Sequence, residues 1–113
     1  MIAMLSNLDP GALSARLAWE HPVEAPDGQG GVSIAYQTAG ALWSRIEPVQ
    51  ARWEEAGNEA GAERTHRIWL RHRDDLKAGD RLRLGARLFT LLSLHDPDET
   101  RRMLVAEARE LVS

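Results

Sequence analysis

The sequence contains no cysteine in its 113 residues. That excludes a disulfide framework, a thiolate metal site and a cysteine nucleophile. No apolar run approaches the roughly 18 residues of a membrane-spanning helix. The opening "MIAMLSNLDP" lacks the basic flank and the apolar length of a secretory signal, so the expectation is a soluble protein that stays where it is made. Phosphate-loop chemistry is missing too: "GQGG" has no Gly-Lys-Ser/Thr ending and no long helix after it. Ser33, Ser44 and Ser93 lack a nucleophile-elbow context. His66 and His72 stand six residues apart, roughly 20 Å along an extended strand, too far to share one metal. Nothing in the sequence brings His21 and His95 together, and "DPDE" at Asp96 to Glu99 lacks the glycine and terminal glutamate of a calcium loop. The expectation is therefore no enzyme, no metal and no cofactor.

What is present suits a single folded domain spanning 1–113, with 43% hydrophobic and 27% charged residues. The net charge of -3 conceals a sorting of signs along the chain. Residues 1–63 hold three basic and nine acidic side chains, 64–87 hold eight against three, and 88–113 hold three against five. Such sorting fits a basic patch for nucleic acid, complementary surfaces on neighbouring copies, or solvated outer faces of strands whose arginines pack through their stems.

Periodicity points mostly to β-structure. In "LSARLAWE", Leu13, Ala15, Leu17 and Trp19 share one face, and Ser14, Arg16, Ala18 and Glu20 the other. Val32, Ile34 and Tyr36 recur two apart, and "ALWSRIEPV" reads as a strand interrupted by Pro48. A short helix is expected from Arg52 to Ala56, limited by Gly57 and Gly61. In "THRIWLRHR", His66, Ile68, Leu70 and His72 alternate with Arg67, Trp69, Arg71 and Arg73, where guanidinium groups could flank the indole. "GDRLRLGARLFTLLSL" reads as two strands around Gly85-Ala86; Leu88 to Leu94 is apolar on both faces and reads as a covered central strand. "HDPDET" is a turn. The last segment, "RRMLVAEARELVS", fits either helix or strand, and its composition favours helix. Between the first two strands Pro26, Asp27, Gly28, Gln29, Gly30 and Gly31 form a polar stretch longer than a tight hairpin needs.

The order of these landmarks resembles the phage head-tail joining family, the small head-closure or stopper proteins of long-tailed phages and phage-derived gene transfer agents. The resemblance rests on Trp43 with Ile46-Glu47-Pro48, on Thr65-His66-Arg67-Ile68 with Arg71 and Arg73, on Gly79-Asp80-Arg81, and on Gly85, Arg87 and Phe89. Together these pieces span roughly residues 13 to 108. Where the family commonly has Leu-Ser-Gly after its Glu-Pro, this chain has Val49-Gln50-Ala51.

The resemblance implies an all-β fold: a small antiparallel β-barrel with one short helix, a long loop between the first two strands, an extended arm at 1–11 and a closing C-terminal strand. It implies a ring, a hexamer rather than a dodecamer, between the portal-bound adaptor and a tail terminator or tail-tube protein. That ring would retain double-stranded DNA in the virion, dock the tail at the head-tail interface, and be assembled in the host bacterial cytoplasm without a membrane. Pro26 to Gly31 match the loop that lines the channel, where glycines would let it change conformation at low steric cost. A ring contact is heterologous, joining different surfaces of neighbouring copies. The charge sorting therefore nominates Arg64, Arg67, Arg71 and Arg73 to face Glu54, Glu55 and Glu59 of a neighbour. Two other readings stand beside this one: an adaptor or tail-completion protein at the same junction, a class that tends to be helical, and a small nucleic-acid-binding β-barrel using Arg67, Trp69, Arg71 and Arg73.

Overall fold

A computed structural model describes residues 12–49 and 64–111. The arm expected at 1–11 and the helix expected at Arg52 to Ala56 lie outside the described residues. The described residues form six strands: β1 (Ala15–Pro26), β2 (Val32–Pro48), β3 (His66–Arg71), β4 (Arg81–Leu84), β5 (Arg87–His95) and β6 (Met103–Glu110). Every pairing is antiparallel. The order is β1-β2-β3-β6-β5-β4, and β4 returns to β1 through Ala18–Arg83, Trp19–Leu82 and Glu20–Arg81, so the sheet is a closed barrel. Closure leaves one interior, which holds Leu17, Trp19, Leu42, Ile68, Leu70, Leu82, Phe89, Leu91, Leu104, Ala106 and Ala108. Inward positions recur every second residue, as the pleat requires. The two small residues on β6 leave volume for the rings of Phe89 and Trp19 in the same cluster.

The C-terminal segment is a strand, against the helix that its composition favours and in line with the family resemblance. Its inward residues Leu104, Ala106 and Ala108 are spaced by two, and β6 is hydrogen-bonded on both sides, to β3 and to β5. Tertiary pairing overrides local propensity here. The centre of β3 is buried on both faces. Ile68 and Leu70 point into the barrel, while Trp69 on the outside is covered by Leu13, Val105 and Met103. The apolar double face of β5 has a different origin. A register shift between Leu91 and Ser93 changes the inward phase, so Leu94 packs on the core while Ser93 is exposed. Leu88 and Leu92 are only half-buried, so β5 is not covered on both sides.

β1 and β2 are much longer than the barrel needs. β1 pairs with β4 only at Ala18–Glu20, and β2 meets β3 only from Ser44 onward. Beyond those points 21–26 and 32–37 pair with each other alone, forming a two-stranded ribbon that projects from the barrel. Six residues in an extended strand reach about 20 Å. The connection itself is five residues, 27–31. Of the six residues read as the loop, Pro26 ends β1 and the other five form the connection, while the reach belongs to the ribbon.

Candidate functional site

At the ribbon tip, Asp27 organises the turn. Its Oδ1 accepts hydrogen bonds from the backbone N–H of Gln29 at 2.8 Å and of Gly31 at 3.1 Å, and its own N–H donates to the Gly31 carbonyl at 3.1 Å. Those backbone donors, Gln29 first, hold the carboxyl below the usual aspartate range, because they favour the ionised form. Gly28 and Gly30 have φ of 82° and 84°, the left-handed region that L side chains avoid. A Cβ on Gly31 would lie 2.9 Å from Asp27 Oδ2. The glycines thus serve one specific capped turn in this conformation. Pro26 ends β1 opposite Val32. From Glu20 to Ser44 there is no lysine or arginine.

The base of the ribbon is anchored by the buried carboxylates of Glu20 and Asp80, the second known from the sequence only as part of the Gly79-Asp80-Arg81 landmark, with no buried role assigned to either. Asp80, 2% exposed, accepts from Trp19 Nε1 at 2.9 Å and from the Lys77 N–H at 3.1 Å, and lies 2.9 Å from His21 Nδ1. Trp19 and His21 flank the point where β1 leaves the barrel, so Asp80 ties that point to the β3–β4 connection. Glu20, between them, is buried and receives Arg81 Nε at 2.8 Å and Arg83 Nε at 3.2 Å. Burial alone would raise the Glu20 pKa; the hydrogen bonds and charges of the two arginines outweigh it and hold it below 4.5. Arg81 also lies over the Tyr36 ring, 3.6 Å from its centroid, and so reaches from the barrel onto the ribbon. The available signal was the Arg-Leu-Arg spacing of 81–83, which puts two guanidinium groups on one strand face. Its partner lies 61 residues away in sequence, beyond the reach of pattern reading.

The arginines nominated for contacts between copies are mostly engaged within the chain. Arg64 and Arg67 converge on Glu107 at 2.6 and 3.2 Å, and Arg67 also meets Glu47 at 3.5 Å. Arg73 forms a forked pair with Asp75, at 2.7 and 3.0 Å, and its guanidinium lies 4.5 Å from the centroid of Trp19. The indole under a guanidinium is thus Trp19, in place of the expected Trp69. Arg71 is exposed and has no ion pair among the described residues. Glu54, Glu55 and Glu59 lie outside the described residues. Much of the charge sorting is therefore resolved by cross-strand pairs inside one subunit, Arg87 with Glu110 at 2.9 Å included.

The nucleic-acid face is not assembled in the form expected. Trp69 is 9% exposed, its Nε1 3.5 Å from Glu47, and Arg67 is neutralised beside it. A buried indole offers no stacking surface to a base. His66 is a packed residue of the barrel: its Nδ1 lies 2.8 Å from Thr65 Oγ1 and its ring packs against Phe89 in an edge arrangement. Burial, with Arg87 beside it, lowers the His66 pKa despite Glu110. Ser44 Oγ is buried without a hydrogen-bond partner among the described residues, and hence without a base to activate it. Among the described residues no group of three or more His, Asp and Glu is placed to hold a metal ion, and no helix is long and apolar enough to cross a membrane.

The profile of a family described as phage head completion protein matches residues 8–111. Two solved structures are similar to the chain. One is a protein from Shigella flexneri 2a determined in solution, 24% identical, covering 91% of this chain and 96% of that one, with a TM-score of 0.71. The other is a chain from the virion of a native gene transfer agent particle, 24% identical, covering 88% of this chain and 96% of that one, with a TM-score of 0.64. Both share the fold. No curated protein matches.

Proposed function

Because the chain belongs to the phage head completion protein family, we propose that it is a stopper subunit at the head-tail junction of a phage or phage-like particle. Copies form a ring, hexameric rather than dodecameric, below the portal-bound adaptor. The ring retains packaged double-stranded DNA and presents its lower face to the tail terminator or tail tube. The observation that carries this reading is the ribbon, a projection of about 20 Å from a closed barrel wall, tipped by the turn Pro26, Asp27, Gly28, Gln29, Gly30 and Gly31. Pointed into a channel, it obstructs the DNA path. Its lack of lysine and arginine suits that place, since each neutralised phosphate would add grip on a polymer that must later slide. Six strands among the described residues favour a stopper over a helical adaptor. The role is mechanical and needs no catalysis.

Contacts between copies use Arg71, the nominated arginine left exposed and without an ion pair among the described residues, against Glu54, Glu55 or Glu59 of the neighbour. The decisive experiment is electron microscopy of particles made without the protein, which are expected to be filled heads that leak DNA and lack tails. Tailed particles that retain DNA would refute the role. Arg71→Glu, which disturbs no ion pair among the described residues, is expected to fold normally and fail to join particles; normal incorporation would refute the contact.

A further inference from the structure

The two edges of the ribbon are chemically unequal. The Asp27 N–H to Gly31 carbonyl bond sets the phase of the antiparallel ladder. It makes Ala25 with Ser33, and Val23 with Ala35, the pairs that exchange hydrogen bonds inside the ribbon. The intervening pairs, Pro22–Tyr36, Glu24–Ile34 and Pro26–Val32, turn their backbone groups outward. On the β1 edge two of those three residues are proline and have no N–H to offer. On the β2 edge Val32, Ile34, Tyr36 and then Thr38 present every donor and acceptor, in a run with no proline and no charge. The side chains of Val32 and Ile34 are 62% and 54% exposed, while Tyr36 carries Arg81 over its ring. Natural edge strands are blunted by charge, proline or a covering element; the β1 edge is blunted by Pro22, Glu24 and Pro26, and the β2 edge has none of these devices among the described residues.

We infer that the β2 edge of the ribbon is a strand-addition site whose occupant is the same edge of a second copy, making a two-fold dimer of the free protein. Antiparallel pairing centred on Ala35 sets Val32 opposite Thr38 and Ile34 opposite Tyr36, and the reverse on the other side of the axis. Each outward-turned residue then meets another outward-turned residue, as the hydrogen-bond phase demands. The outward-turned pairs are β-branched with β-branched and β-branched with aromatic, combinations that stabilise sheets, and the pairs between them, Ser33 with Gln37 and Ala35 with Ala35, are uncharged. No charge opposes the contact, although each copy carries -3 overall. The resulting four-stranded sheet ends on both sides at the proline-bearing β1 edge, so growth stops at two copies. A heterologous partner edge is lacking among the described residues, where the barrel strands are closed on one another. A ladder of seven residues a side is small against the roughly 1,600 Å² of a standard interface, so the pair dissociates on dilution. A two-fold contact cannot be repeated around a ring; the dimer belongs to the free protein and parts before a ring closes.

The test uses purified protein and is independent of any particle. Sedimentation equilibrium should show a reversible monomer–dimer exchange. Backbone amide exchange by NMR should slow about tenfold or more at residues 32, 34, 36 and 38 as the dimer forms, with Glu24 unchanged and Ser33 and Ala35 protected throughout. Ile34→Pro, which gives β2 the same missing donor that β1 carries, should be monomeric with its internal ribbon bonds kept. Ile34→Lys, which leaves the backbone intact and adds like charges near the axis, should be monomeric too. A monomer at all concentrations would overturn the inference, whether those amides are free or held by another part of the chain. So would a dimer that survives both substitutions.

Discussion

Removing the carboxylate of Asp80 tests how the ribbon is tied to the barrel. In Asp80→Ala, Trp19 Nε1 and the Lys77 N–H lose their shared acceptor Oδ2. Trp19 is 3% exposed, so water cannot readily replace it. Each buried donor left without a partner costs about 1–3 kcal/mol. His21, with a side chain 38% exposed, can turn to solvent and adds little. The expected loss is about 2–5 kcal/mol, or a fall in Tm of about 10 °C or more for a domain of this size. Asp80→Asn is the informative control. Its carbonyl oxygen can still receive both Trp19 and Lys77, while its amide faces His21 Nδ1, which accepts in the other tautomer. That variant should lose about 1 kcal/mol or less. Urea unfolding followed by circular dichroism and tryptophan fluorescence, with an unchanged m value, gives both numbers. Equal destabilisation by the two variants, or a loss below about 1 kcal/mol in Asp80→Ala, would refute acceptor loss as the mechanism.

Two further outcomes follow from the core and the charged wall. Phe89 is fully buried at the heart of the barrel cluster, so Phe89→Ala should cost about 3–5 kcal/mol, read from the urea midpoint. A loss near that of a surface substitution would mean the barrel interior is not packed as described. For pH, the Glu20 carboxyl is held below 4.5 in the folded chain, so its stabilisation is fully present above 4.5 and disappears as pH falls through the lowered value. Glu110, Asp27 and Asp98 shift in the same direction through Arg87, the Gln29 N–H and Thr100 respectively. Stability should therefore decline on acidification below about 4.5, and Glu20→Gln should flatten part of that decline while lowering stability at neutral pH by about 2 kcal/mol. An acid limb of unchanged slope in Glu20→Gln would show that the Arg81 and Arg83 pairs do not supply it.

Period-two alternation marked Leu17 and Trp19 as one buried face, and turn chemistry marked Gly85-Ala86 between β4 and β5 and Pro26 to Gly31 between β1 and β2, of which 27–31 form the connection. These were legible because strand geometry and turn chemistry act over a few residues. Misreadings arose where a distant segment intervened. Trp69 looked available on an arginine-bearing face until Leu13 and Val105 covered it. Val32, Ile34 and Tyr36 read as an ordinary strand face, and the structure leaves them on a ribbon with no core beneath. The arginines of 64–87 suggested contacts between copies, while most find carboxylates on other strands of the same barrel.

By itself the sequence determined the β class, the place of the polar turn and the resemblance to a head-closure family, since each resides in local spacing or in the order of short landmarks. Local composition favoured helix for the last segment, the resemblance implied a strand, and pairing with β3 and β5 makes it one; tertiary structure alone decided that Asp80 and Glu20 are buried anchors and that one ribbon edge has no strand against it among the described residues. The reason is closure: residues far apart in the chain become hydrogen-bonded neighbours only when β4 meets β1, and β1 and β2 overshoot that closed wall.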